Sequence, residues 1–148
     1  MGREYPNHPL VGVGAVIKKG DRVLLVKRNN EPAKGLWSIP GGLVELGETV
    51  RDAVLREVEE ETSLNIELRE IIDVMDQIIK DESGRIRFHY VLVDFLARPV
   101  DDEAIAKSEC EEVSELRWVG ADELSGLQLT NATRKLLQKI GFKSLREI

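Results

Sequence analysis

Glu57, Glu60 and Glu61 lie in the run Arg56-Glu-Val-Glu-Glu-Glu61, and their spacing decides what they can do. The run reads as a helix. Thr49-Val-Arg-Asp52 is a capping box, and residues of good helix propensity follow it to about Thr62. Counting roughly 100° per residue from Val50, the apolar residues Ala53, Val54 and Val58 fall at about 300°, 40° and 80°. Glu57, Glu60 and Glu61 fall at about 340°, 280° and 20°, inside that stripe, while Asp52 and Glu59 occupy the wet side. An ionised carboxylate taken out of water without a partner costs several kcal/mol. Acids at i,i+3 and i,i+4 also repel one another. Two readings follow: a solvated acidic ridge on an imperfect helix, or a set of hard oxygen ligands for Mg²⁺ or Mn²⁺.

The segment ahead of the helix favours the second reading. Ile39-Pro-Gly-Gly-Leu43 leads into it, and Gly41 and Gly42 permit positive φ and close backbone approach. A main-chain carbonyl there can complete the coordination of a cation on the ridge.

The rest of the chain must hold these groups in place. Val11 to Ile17 and Arg22 to Lys27 are apolar, β-branched runs joined by Lys-Lys-Gly-Asp, a hairpin pattern. Asn29 to Gly42 reads as irregular. Asn65 to Ile79 and Arg85 to Ala97 read as strands joined by a turn at Asp81 to Gly84. In the second of these, Phe88, Tyr90 and Leu92 share one face, with His89, Val91, Val93 and Phe95 on the other. Val113 to Val119 is a further strand, and Thr130 to Ile140 has helical spacing closed by Gly141. This is an α+β pattern of layered type. Trp37, Phe88 and Tyr90 read as core, with stacking on a base as the other reading, and His89 reads as a sheet residue.

The 148 residues are enough for one domain with a real core. A net charge of −6 argues against nucleic acid and anionic membranes as partners, and leaves a small anionic substrate open if cations mask the acids. Cys110 is the only cysteine, so no internal disulfide forms; without an activating neighbour it reads as inert. No apolar run resembles a signal peptide or membrane span, and the expectation is a cytoplasmic protein.

Gly42, five residues, Glu48, seven residues, then Arg56-Glu57-Val58-Glu59-Glu60-Glu61-Thr62-Ser63-Leu64 resemble the Nudix box, G-x5-E-x7-R-E-U-x-E-E-x-G-U with U aliphatic. Ser63, where the family has glycine, is the one departure. A left-handed serine there costs on the order of 1 kcal/mol, unless Asn65 takes the left-handed role. Leu24 to Arg28, Gly35-Leu36-Trp37 before Pro40, and Arg117-Trp118-Val119 before Asp122-Glu123-Leu124 extend the resemblance from about Val11 to Leu137.

The resemblance implies a single domain over residues 1–148, an α/β/α sandwich with a mixed central sheet. It also implies Mg²⁺-dependent (or Mn²⁺-dependent) hydrolysis of the diphosphate linkage in a nucleoside diphosphate derivative. By position, Glu57 and Glu61 are the principal metal ligands, Glu60 an additional one, and the Gly41 carbonyl a main-chain ligand. Glu57 is alternatively the base. Arg56 pairs with Glu48, and with Gly42 they support the site. The acidic segment Pro99 to Glu112 offers Glu111 and Glu112 as a base or ligand, a solvated loop being the other reading. Arg28 is a candidate for substrate phosphate. ADP-ribose, cleaved to AMP and ribose 5-phosphate, is favoured by analogy, although the proline common in such enzymes is missing near Lys80. Nucleoside triphosphates, oxidised ones included, are the alternative, and a non-catalytic nucleotide-sensing module is the reading from another class. Homodimers are common among similar proteins, and the Arg3 to Pro9 segment is a candidate for packing on a second subunit.

Overall fold

The computed structural model describes residues 3–142. In chain order they form β1 (Leu10–Lys19), β2 (Arg22–Arg28), β3 (Trp37–Ser38), β4 (Gly41–Leu43), α1 (Val50–Thr62), β5 (Ile66–Lys80), β6 (Ile86–Pro99), β7 (Val113–Gly120), a 3-10 turn at Ala121–Gly126, and α2 (Asn131–Lys139). The sheet is mixed. β1 runs parallel to β6 from Leu10↔Tyr90 to Ile17↔Ala97 and antiparallel to β4 through Gly14↔Gly41. Its far end turns into β2 at Lys18↔Val23, as the hairpin pattern predicts, and β2 carries β3 and β7. β5 flanks β6 as the outer strand.

Side-chain alternation builds three layers. Val13, Ala15 and Ile17 of β1 pack with Leu24, Phe95 and Ala97 against Ala53, Val54 and Val58 of α1. Val16, Val23, Leu25 and Val119 point the other way, onto Trp37 and onto Leu136 and Leu137 of α2. Both faces of the central strands are covered, so these strands read as near-continuous apolar runs. The result is the expected α/β/α sandwich.

Two expectations change. Asn29 to Gly42 is not wholly irregular: it holds β3 and β4, whose pairing partners in β2 and β1 are distant in sequence. Gly41 and Gly42 do not have positive φ. They lie extended in β4, and glycine is required there for space. A Cβ on Gly41 would overlap the Val13 carbonyl oxygen, and one on Gly42 would overlap the Glu57 carboxyl. The N-terminal segment packs on its own chain. Tyr5 N–H donates to the Arg87 carbonyl (2.7 Å), Tyr5 Oη donates to Asp81 (2.9 Å), and Glu4 pairs with Arg87.

Candidate active site

The site grows from α1. Thr49 Oγ1 accepts the Asp52 N–H at 3.0 Å and starts the helix. Ser63 ends it in the left-handed region at φ 65°, the role Asn65 does not take. Ser63 Oγ also donates to the Lys107 carbonyl at 2.8 Å, which offsets the backbone strain and ties the acidic segment to the helix end.

Toward its C-terminal end, the buried sector of α1 swings to Val54, Val58, Glu61 and Thr62. Glu61 is therefore only 6% exposed, and its Oε1 accepts the Gly41 N–H at 3.0 Å. The Glu57 side chain is 13% exposed. Glu60 departs from the helical-wheel expectation: at 55% exposure it sits outside the stripe, at the rim.

Arg56 connects the loop to the helix. Its Nε donates to Glu48 Oε2 (2.7 Å) and its Nη2 to Glu48 Oε1 (2.9 Å) and the Leu43 carbonyl (3.0 Å). Its Nη1 donates to Glu57 Oε2 (2.9 Å) and Glu60 Oε1 (3.3 Å). Such a planar, bidentate fork holds geometry that a lysine cannot. The Arg56 guanidinium, helped by the Glu45 N–H, holds the Glu48 carboxyl down at about 2.

The acids facing the interior shift the other way. Burial raises the Glu57 carboxyl, with Arg56 opposing. Burial pushes Glu61 up to about 8; the Gly41 N–H opposes this, and the charges of Glu57 and Glu112 add to it. These acids crowd one another in a poorly solvated place, which a divalent cation would relieve. Among the described residues, no three His, Cys, Asp or Glu side chains form a ready cage.

Of the two acidic-segment candidates, the fold brings in one. Glu112 lines the cleft beside Glu61 and pairs loosely with Arg3 at 3.8 Å. Glu111 is exposed, and its main-chain carbonyl accepts Asn29 Nδ2 at 2.8 Å. Arg28 also lines the cleft, its Nε donating to the Pro32 carbonyl at 2.7 Å. Burial lowers its pKa, and the Glu61 charge opposes the shift.

The cleft holds about 560 Å³, floored by β1 and β6 and bordered by β5 and by the start of α2. One of its residues, Asp94, escaped the sequence reading, while Tyr90 was already a candidate for core or base stacking. The Tyr90 hydroxyl, taken as core, is buried without a hydrogen-bond partner among the described residues. Asp94 is 6% exposed on the same strand face. The signal that could have found it was an acid inside the apolar run Val91-Leu-Val-Asp-Phe95. Cys110 is half-buried, and burial raises its thiol, consistent with an inert group.

The NUDIX domain family profile matches residues 8–140 of the chain. The chain belongs to the Nudix family. It is 37% identical over 105 residues to an ADP-ribose pyrophosphatase of Methanocaldococcus jannaschii, an alignment covering 71% of this chain and 60% of that protein. A crystal structure of a MutT NUDIX hydrolase from Burkholderia pseudomallei superposes with a TM-score of 0.79 at 35% identity, covering 90% of this chain and 99% of that one. The NUDIX domain of Shewanella oneidensis NrtR, solved with ADP ribose, shares the Nudix fold at a TM-score of 0.72 and 24% identity, covering 91% of this chain and 88% of that one. Among the described residues, no helix of this Nudix chain is long and apolar enough to cross a membrane.

Proposed function

We propose that the protein hydrolyses the diphosphate linkage of a nucleoside diphosphate derivative, ADP-ribose foremost, with Mg²⁺ or Mn²⁺. One observation carries this reading: the buried Glu61 carboxyl, held on the Gly41 N–H and flanked by Glu57, opens into a cleft that also holds Arg28 and Glu112. The name of the Methanocaldococcus relative supports the choice of substrate.

The oxygen donors Glu57 and Glu61 fit a hard cation, with Glu60 and the Gly41 carbonyl as further candidates. Magnesium bound there supplies neutralisation of the diphosphate charge and makes water more acidic. The chain's own groups do the rest. Arg56 keeps Glu57 in place through the Glu48 fork, so the carboxylate does not reorganise during turnover. Arg28, which lines the same cleft, binds the phosphate oxygens. Glu112 takes the proton of the attacking water. The water oxygen bonds to one phosphorus, the bridging phosphorus–oxygen bond breaks, and AMP and ribose 5-phosphate leave.

A product screen over ADP-ribose, NADH, nucleoside triphosphates and dinucleoside polyphosphates, with each metal, tests this. The expected result is AMP plus ribose 5-phosphate from ADP-ribose, abolished in Glu57→Gln and by EDTA. Undiminished turnover in Glu57→Gln refutes the metal-ligand assignment. Turnover confined to nucleoside triphosphates transfers the reading to a MutT-like activity. Nucleotide binding with no product from any substrate makes the chain a sensing module.

A further inference from the structure

The arm ahead of β1 has no role in the chemistry above, yet its course is fixed. Tyr5 sits at φ 51°, a left-handed conformation disfavoured for any residue with a Cβ. Contacts to the β5–β6 hairpin hold it there. Tyr5 N–H donates to the Arg87 carbonyl at 2.7 Å, its hydroxyl donates to Asp81 at 2.9 Å, and the Arg85 guanidinium lies 4.2 Å from its ring centre. Next to it, Glu4 Oε2 accepts Arg87 Nε at 2.7 Å. Strain that the surroundings over-determine points to a use for whatever it positions. Here that is Arg3, which lines the cleft.

Arg3 shares the cleft with an orphaned donor. The Tyr90 hydroxyl is the one buried side-chain polar atom without a hydrogen-bond partner among the described residues, on a side chain only 5% exposed that lines the same cleft. A hydroxyl buried unpaired is costly, so its place in a binding cleft calls for an acceptor from the ligand. Burial raises its pKa, and the charges of Arg3 and Arg28 oppose the shift, so both guanidinium groups act on this hydroxyl. A phenol donor beside two cations suits the oxygen of an anion. The Arg3 fork is not spent elsewhere: its contact with Glu112, at 3.8 Å, is too long for a hydrogen bond.

We propose that the N-terminal arm completes the substrate site: Arg3 and the Tyr90 hydroxyl form a second phosphate subsite next to Arg28. This subsite rests on the diphosphate reading of the cleft and is indifferent to base and sugar. A diphosphate diester carries two negative charges. Arg28 meets one, and Arg3, the second guanidinium lining the cleft, meets the other. The planar Arg3 fork donates to two oxygens of that phosphate, and the Tyr90 O–H donates to one of them. Tyr5 touches no phosphate; it is a positioning residue that keeps Arg3 in reach.

Equilibrium binding of AMP and of α,β-methylene-ADP, whose bridging carbon resists hydrolysis, isolates the second phosphate in saturating Mg²⁺. Wild-type protein binds the two-phosphate ligand about 10- to 100-fold more tightly than AMP. Arg3→Gln and Tyr90→Phe each cut that ratio about 10-fold by weakening α,β-methylene-ADP, with AMP unchanged. Tyr5→Ala releases the arm and reproduces the Arg3→Gln result. Without ligand, Tyr90→Phe melts no lower than wild type, because the lost hydroxyl had no protein partner. An undiminished ratio in any of the three variants overturns the proposal, as does equal weakening of both ligands, equal binding of both by the wild type, or a lower ligand-free Tm in Tyr90→Phe. ADP-ribose turnover is scored separately on the wild type. Turnover with an undiminished ratio in the variants sinks the subsite alone, and a diminished ratio without turnover sinks the ADP-ribose reading alone.

Discussion

Replacing Glu61 with glutamine stabilises the metal-free protein at alkaline pH while destroying its proposed activity. Burial holds the folded Glu61 carboxyl protonated up to about 8, against an ordinary value of 4.5. Between those values the unfolded chain ionises this group and the folded chain does not, so the folded state binds more protons. Stability from this group therefore falls as pH rises from about 4.5 to about 8 and stays low above. At about 1.4 kcal/mol per pH unit, the displacement from 4.5 to about 8 amounts to about 5 kcal/mol. Glutamine has a similar shape, its carbonyl still accepts the Gly41 N–H, and it never ionises. Differential scanning calorimetry in EDTA reads the difference, with about 2–4 °C of Tm per kcal/mol for a chain of this size. The expected gain in Glu61→Gln is about 10 °C at pH 8.5 and nearly nothing at pH 4.5. Saturating Mg²⁺ raises the wild-type Tm at pH 8.5 and leaves the variant nearly unmoved. Equal melting of the two proteins in EDTA at both pH values would show that Glu61 carries no buried-charge penalty, and the reasoning fails.

Other substitutions probe the supports around that acid. Gly42→Ala drives a methyl into the Glu57 carboxyl and lowers kcat by about 100-fold, read in steady-state kinetics. Arg56→Lys loses the fork to Glu48 and the Leu43 carbonyl; Mg²⁺ titration of activity shows about 10- to 100-fold weaker metal use. Ser63→Ala keeps the left-handed strain but loses the bond to Lys107, costing about 1 kcal/mol in urea unfolding, whereas Ser63→Gly trades strain for bond and stays near wild type. Glu112→Gln lowers kcat by about 100-fold or more, while Glu111→Gln leaves it unchanged, read in steady-state kinetics.

The acids, their helix and the longer strands β1, β2, β5, β6 and β7 were legible because each depends on local pattern, whereas the short β3 and β4 were not. Thr49 and Asp52 mark the start of α1, and the i,i+3,i+4 spacing of Val50, Ala53, Val54 and Val58 sets the face it buries. Period-two alternation likewise placed Phe95 opposite Phe88 and Tyr90. Gly42, Glu48 and Arg56 to Glu61, taken with their gaps, carried the family. Tertiary structure decided the rest, because each remaining answer depends on a neighbour remote in sequence. A single wheel could not show that Glu60 would stand at the rim while Glu61 went under Gly41, since the sheet sets which sector is covered. Gly41 and Gly42 proved necessary for the space taken by Val13 and Glu57, not for their own dihedrals. Only the packing of the acidic segment separated Glu112 from Glu111. Asp94 came to line the cleft only through the pairing of β1 with β6, where Gly14 leaves room beside its carboxyl.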